Sequence, residues 1–105
     1  MPMSPKGRQK PTPAHQRQFY SSHQWTRHSK RMRQEFPICM APFCKERGLS
    51  TSVHHIVPYV RRPDLALCDE NTCPVCETCH HYIEGLTRRG KPTAHMFDGW
   101  QDKKR

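Results

Sequence analysis

Residues 73–80 read Cys-Pro-Val-Cys-Glu-Thr-Cys-His, and this stretch decides which fold the chain can adopt. Two residues separate Cys76 from Cys79, which is the spacing found where a tight turn presents two ligands to a structural zinc ion. Cys39 and Cys44 supply the natural second pair, although the four residues between them lie at the wide end of the usual range. The sequence therefore predicts a structural Zn²⁺ held by these four cysteines.

The choice of zinc ligands is not unique, because Cys73 and Cys76 also have pair spacing and Cys68 is a further cysteine. We prefer Cys76 with Cys79, since a turn that leads into a helix N-terminus brings two thiolates together and directs backbone N–H groups at their charge. Cys68 and Cys73 are then interpreted as ordinary buried cysteines. Whether either of them replaces a ligand stays open at this point.

Length and composition favour a metal as the source of stability. The chain has 105 residues, of which 33% are hydrophobic, so it can form one small domain whose core needs additional support. Residues 1–20 contain no apolar run long enough for a signal peptide or a membrane span. We therefore expect a cytoplasmic protein, in which clustered cysteines stay reduced and bind zinc.

The charge indicates a polyanionic partner. Lys and Arg total 18 against nine acidic residues, which gives a formal net charge of +9. Binding to anionic lipid would call for a basic helix with a clear apolar face or for a lipidation signal, and the charge is instead spread through polar, proline-containing sequence. We expect nucleic acid, and not a membrane, as the partner.

The domain organisation follows from composition. Residues 1–19 are rich in proline and basic residues and lack acidic ones, so we predict a disordered basic arm. Residues 20–90 should form the folded domain. Residues 91–105 should form a C-terminal tail, in which Phe97 and Trp100 are expected to pack onto the domain.

Two helices are predicted. Ser21 and Gln24 have capping-box spacing, which predicts a helix over about 22–35, and a second helix is predicted over about 77–89. Basic side chains on these helices form either a solvated face or a phosphate-binding one. The candidate nucleic-acid contacts are Arg27, Lys30, Arg31, Arg33, Arg88 and Arg89. Between the helices, residues 52–57 suit a short strand, and residues 58–72 suit a loop.

The order of motifs between the helices resembles a known enzyme family. The motifs are Pro37-Ile38-Cys39, Cys44, Val53-His54-His55-Ile56-Val57-Pro58, Asp69-Glu70-Asn71 and Cys76-Glu77-Thr78-Cys79-His80. This set resembles the HNH endonuclease family in its zinc-bearing, four-cysteine branch, which includes small phage and prophage proteins. The resemblance covers about residues 36–86, and the spacing from Asn71 to His80 is its most specific part.

The resemblance implies a small α+β fold, the ββα-metal or His-Me finger module, with a structural zinc. In such a module a hairpin and a helix hold one divalent cation against the scissile phosphate. His55 matches the general base, whose imidazole can accept a proton from water near neutral pH. His54 and His80 match the cation ligands. Asn71 matches the residue whose amide ties a loop so that the base keeps its orientation.

Two departures bear on the identity of the catalytic cation. His54 stands where the family more often has aspartate, and a neutral ligand shifts the preference from Mg²⁺ toward Mn²⁺, Ni²⁺ or Zn²⁺. Glu84 lies four residues after His80, on the same helical face, so it is either a third ligand or a solvent-facing glutamate. His81 is expected to lie on the surface or to contact phosphate. The remaining four histidines, His15, His23, His28 and His95, are assigned no role.

The expected function is metal-dependent hydrolysis of DNA phosphodiester bonds with weak sequence specificity. One active site per chain implies nicking. The resemblance to small phage and prophage HNH proteins implies a phage terminase partner in DNA packaging within a bacterial host cell. The alternative is a zinc-stabilised module that binds nucleic acid without catalysis, in which His54, His55 and His80 are idle or structural.

Overall fold

Five regular elements follow one another in the computed structural model, which describes residues 12–103. They are helix α1 (Pro13–Tyr20), helix α2 (His23–Glu35), strand β1 (Ser52–His55), strand β2 (Thr72–Val75) and helix α3 (Glu77–Arg88). The two strands pair in antiparallel fashion. The described chain is therefore a small α+β protein with three α-helices and one two-stranded sheet.

Helix α1 occupies part of the segment for which we predicted a disordered arm. Thr12 caps it by accepting a hydrogen bond from the His15 backbone N–H at 3.1 Å, and the His15 ring accepts one from the Thr12 N–H in return. Pro13 stands at the first helical position, where a missing N–H costs nothing. The arm prediction is thus wrong for residues 13–19, and its residues 1–11 lie outside the described part of the chain.

Helix α2 ends at Glu35 as predicted, but its cap differs by one residue. Ser22, rather than Ser21, accepts the hydrogen bond from the Trp25 backbone N–H, at 3.2 Å. The Ser21 hydroxyl donates instead to the Arg17 carbonyl of α1, at 2.8 Å, because α1 runs almost directly into α2. Ser21 and Ser22 therefore form the tight connection between the two helices.

The sheet is short, and β2 is its more deeply buried strand. Ser52 is paired with Val75 and His55 with Thr72, so the two histidines of β1 face β2 residues in register. All four residues of β2 are buried, whereas β1 is only partly covered. Predicted strand 52–57 thus forms over its first four residues, and the predicted loop 58–72 contains two short 3₁₀ turns.

The core lies between α2, β2, α3 and the C-terminal segment. Met32 and Ile83 are fully buried, and Phe97 and Trp100 are also buried, as predicted for the tail. The Trp100 ring packs edge-on against Phe36, with ring centroids 5.4 Å apart. Helix α3 matches the predicted helix to within one residue. None of the helices within residues 12–103 has the length and apolar character needed to cross a membrane.

Candidate functional site

Four cysteines from two separate segments converge on one point. The sulfur atoms of Cys39, Cys44, Cys76 and Cys79 all lie within 4.8 Å of one another, and all four residues are buried. Four thiols at such distances match the tetrahedral donor set of a structural metal site. The predicted ligand choice is confirmed in this coarser sense: these four cysteines could hold a structural metal ion such as zinc.

The loop after Cys44 is shaped to hold the first cysteine pair. Arg47 adopts a left-handed backbone conformation, with φ of 52°, and its backbone N–H donates to the Cys44 sulfur at 3.2 Å. Its guanidinium donates to the Cys39 and Ala41 carbonyls, at 3.0 and 3.2 Å. A Cβ on Gly48 would lie 3.3 Å from the Cys76 Cβ, so glycine permits the two segments to approach closely.

The thiols of the cluster have pKa values shifted in different directions. Burial would raise the pKa of Cys44, but the Arg47 backbone N–H and the neighbouring cysteines lower it to about 7. Burial raises the pKa of Cys39 and of Cys79. A metal ion bound here would have to displace protons from the sulfur atoms, so we expect proton release on metal binding.

The two remaining cysteines lie outside the cluster. Cys73 is fully buried on β2, and burial raises the pKa of its thiol. Cys68 is partly exposed, and its thiol donates to Glu70 at 3.3 Å. Cys73 therefore fits its interpretation as a buried cysteine, whereas the prediction that Cys68 is buried is wrong, because its thiol lies beside an exposed acid.

The predicted base and the predicted cation ligands border one cavity of about 750 Å³ between α1, α2, β1 and α3, whereas Asn71 does not line it. Three histidines and one acid from the predicted set line it: His54, His55, His80 and Glu84. The hairpin positions the first two, and the first turns of α3 position the others. The topology thus brings together residues that are up to 30 positions apart in the sequence.

The His54 ring has one buried nitrogen atom that forms no hydrogen bond. Its Nε2 atom is buried and has no hydrogen-bond partner. The ring stacks on Phe97, with centroids 4.9 Å apart, and lies 6.4 Å from the His80 ring. Burial, together with His80 and His55, lowers the pKa of His54 to about 4, so the ring is neutral near pH 7 and its free nitrogen can bind a cation.

His80 and Glu84 share one face of α3, as their spacing predicted. The His80 Nε2 lies 3.5 Å from a Glu84 carboxylate oxygen, and Glu84 is about half exposed. These two residues and His54 do not approach one another as closely as the four cysteines do in the described part of the chain. The structure therefore places the three predicted cation ligands around one cavity without drawing them into a tight cluster.

His55 is buried, and both of its ring nitrogens have partners. Nε2 lies 2.9 Å from the Ala66 carbonyl oxygen, and Nδ1 lies 2.9 Å from the Tyr20 hydroxyl. The ring stacks on Trp25, with centroids 4.8 Å apart. Burial lowers the pKa of His55, against the raising effect of the Ala66 hydrogen bond. A neutral imidazole in a fixed orientation is the form that a general base requires.

Asn71 joins the two ends of the loop that follows β1. Its amide oxygen accepts from the Val57 backbone N–H at 2.8 Å, and its amide nitrogen donates to the Val57 and Leu65 carbonyls at 3.1 and 3.2 Å. Its backbone carbonyl accepts from the Ile56 N–H at 2.8 Å. Because Ala66 follows Leu65 directly, this network also fixes the carbonyl that orients His55.

The predicted basic contacts divide between two surfaces. Arg33 and Arg88 line the histidine cavity, whereas Arg27 and Lys30 line a second groove along α2. Arg31 also borders that groove, but its guanidinium bonds to Asp69 at 2.7 Å. Arg89 is exposed at the end of α3 and does not line the histidine cavity. Arg33 and Arg88 are therefore the predicted contacts nearest the candidate active site.

Two groups near the site were missed by the sequence analysis. Tyr20 and Trp25 both contact His55, and neither was predicted as a site residue from the sequence. His28, to which we assigned no role, is buried and bonds to the Thr72 hydroxyl at 2.9 Å. The only local signal for these roles was the aromatic run before α2, which predicts packing but does not name a partner.

Comparison of the chain with protein-family models, with curated proteins and with solved structures gave no match. The functional interpretation therefore depends on the residues of this chain and on the geometry of the site.

Proposed function

We propose that this chain is a metal-dependent endonuclease of the HNH type that hydrolyses DNA phosphodiester bonds. The observation that carries the proposal is the His54 Nε2 atom, which is buried without a hydrogen-bond partner in a residue that lines the cavity. A buried polar atom without a partner costs about 1–3 kcal/mol, so such atoms usually serve a purpose. A cation bound between His54 and His80 would satisfy this nitrogen.

The donor set fits a divalent cation. Two imidazole nitrogens and one carboxylate, from His54, His80 and Glu84, suit Mn²⁺, Ni²⁺ or Zn²⁺ better than Mg²⁺. When bound, the cation would stabilise negative charge on the phosphoryl oxygens and on the leaving 3′-oxygen. The order β1, β2, α3 also agrees with a ββα-metal module, and the four-cysteine cluster agrees with a structural zinc beside it.

His55 is the proposed general base. The Ala66 carbonyl can only accept a hydrogen bond, so Nε2 carries the ring hydrogen and Nδ1 carries the lone pair. Nδ1 is therefore the atom that accepts a proton when water attacks phosphorus. Asn71 supports this geometry by closing the loop that carries Ala66. Its role is to position the base, and it does not react.

DNA binding is assigned to the basic residues at the cavity rim. Arg33 and Arg88 border the same cavity as the three histidines, and the net charge of +9 favours a polyphosphate. Contacts of this kind position the backbone without reading bases, so we propose weakly specific nicking. A terminase partner in phage DNA packaging is part of the same proposal and rests on the resemblance alone.

Replacing Arg33 with alanine is expected to weaken DNA binding uniformly across sequences. With one phosphate contact fewer, the protein releases fewer counterions from the DNA when it binds. The slope of log K against log salt concentration should fall in magnitude by about 0.9 for one phosphate contact. Fluorescence anisotropy with two unrelated duplexes at several salt concentrations measures this. Arg89→Ala, which removes a charge outside the cavity, is the matched control, and an equal change in both variants would argue against the assignment.

The proposed function is tested with supercoiled plasmid and purified protein, across Mg²⁺, Mn²⁺, Ni²⁺, Zn²⁺ and EDTA. We expect nicked product with at least one of these cations and none with EDTA. A protein that binds the plasmid and cuts it under none of these conditions is instead a zinc-stabilised binding module, which was the alternative drawn from the sequence.

A further inference from the structure

The contact between Tyr20 and His55 bears on how the proposed base reaches water. Because the Ala66 carbonyl accepts from Nε2, the Nδ1 lone pair must accept a hydrogen bond from the Tyr20 hydroxyl at 2.9 Å. The direction of both hydrogen bonds is thus fixed by the acceptor-only carbonyl. The nitrogen that takes up a proton is already occupied by a tyrosine.

The Tyr20 ring is held in place by aromatic residues from three parts of the chain. It meets Phe19 of α1, Trp25 of α2 and Tyr59 of the loop after β1, with centroid distances of 5.2, 5.5 and 6.2 Å. Phe19 in turn stacks on Tyr59 at 4.6 Å. Packing against three elements holds the Tyr20 hydroxyl at Nδ1. Tyr20 is therefore a fixed part of the site and not a loose segment that covers it.

We propose that Tyr20 is a further catalytic residue, whose hydroxyl passes the proton of the attacking water to His55. The inference rests on the proposed nuclease function. Tyr20 lines the same cavity as His54 and His80, and its residue surface is 42% exposed. A hydroxyl that donates to Nδ1 keeps lone pairs of its own, so its oxygen can accept a hydrogen bond from a water in the cavity.

The proposed step is balanced in atoms and electrons. The water oxygen forms a bond to phosphorus while the bond from phosphorus to the 3′-oxygen breaks. The water gives one proton to the Tyr20 oxygen, and the Tyr20 hydroxyl gives its proton to the His55 Nδ1. The 3′-oxygen leaves with the electron pair of the broken bond and is protonated by solvent. Return of the proton from His55 to solvent restores the starting state.

A competing interpretation makes the opposite prediction. If the Tyr20 hydroxyl only blocks the Nδ1 atom, cleavage requires that the hydroxyl leave, and its removal should speed the reaction. The aromatic packing around Tyr20 favours transfer over blocking, because moving the ring would disrupt its contacts with Phe19, Trp25 and Tyr59.

The test is Tyr20→Phe in single-turnover cleavage with saturating protein and cation. We expect the cleavage rate to fall by about 10²-fold, which is within the usual contribution of a proton-transfer group. DNA affinity should be unchanged. Tyr59→Phe is the matched control, since it removes a hydroxyl from the same aromatic cluster but from a ring that is not bonded to His55, and its rate should remain that of the wild type.

A proton inventory in mixtures of H₂O and D₂O separates transfer from simple positioning. The wild type should give a curved plot, because two protons move in the step, and Tyr20→Phe should give a straight one. A faster Tyr20→Phe enzyme, an unchanged rate, or a straight wild-type plot would each overturn the proposal. If His55→Ala loses cleavage while Tyr20→Phe does not, the Tyr20 relay is wrong but the proposed nuclease function stands. If the wild type fails to cut with any of the four cations, the nuclease function fails and the relay with it.

Discussion

Cys79→Ser is expected to unfold the chain. Structural zinc contributes about 10–16 kcal/mol of apparent binding free energy in small zinc modules, and domains of this kind are stable by only about 5–15 kcal/mol. If loss of one of the four converging ligands abolishes zinc binding, the free energy removed is comparable to the whole stability of such a domain. Circular dichroism and metal analysis of the purified variant measure the loss of helix and of bound zinc.

Cys73→Ser is the matched control for this prediction. Cys73 is as deeply buried as the ligands, but its sulfur lies outside the four-cysteine cluster. We expect the Cys73 variant to keep one zinc ion per chain and to lose only the modest stability that a buried hydroxyl costs, about 1–3 kcal/mol. Equal loss of zinc in the two variants would show that the ligand set is wrong.

His55→Ala is expected to abolish cleavage while leaving the fold and DNA binding intact. General base catalysis contributes about 10²–10⁴-fold to rates, so we expect a loss of about 10³-fold. The variant loses the packing of the His55 ring on Trp25 and is expected to be less stable, but it should still fold because the four-cysteine cluster is unchanged. Binding should survive because Arg33 and Arg88 remain at the cavity. His95→Ala, which changes an exposed histidine outside the cavity, serves as the control for general effects of histidine removal.

The metal cluster could be predicted from the sequence because its determinants are local. Pair spacing and the start of α3 identify Cys76 and Cys79, and the first pair follows by completing a four-ligand site. The placement of His80 and Glu84 on one face is likewise a local consequence of helical periodicity. The pattern could not show that Arg47, with its left-handed backbone, would bond to Cys44.

Helix α1 was missed because its signals conflict. Prolines and basic residues dominate residues 1–19, and that composition is typical of disorder. The cap at Thr12 uses a histidine at the third helical position, where a capping box normally has glutamate or glutamine, so the motif was not recognised. Contacts of Phe19 and Tyr20 with Tyr59 also support the helix, and those contacts are tertiary.

The partners of His55 and Arg31 could not be predicted because they are distant in sequence. Tyr20 bonds to His55 across 35 positions, and Arg31 bonds to Asp69 across 38. Neither pair follows from periodicity or spacing, since each depends on how α1 and α2 pack against the hairpin. Arg31 was grouped with the other basic residues of α2 for this reason, although its guanidinium is held by an acid within the protein.

The central claim is that the histidine cavity cleaves DNA through His55, and relative nicking rates test it most directly. Wild type and His55→Ala, each shown to be folded and to bind plasmid equally, are compared at the same concentration of the cation that best supports cleavage. We predict a rate ratio of about 10³, with no nicking by either protein in EDTA. A ratio near one, or no cleavage by the wild type with any of the four cations, would contradict the claim.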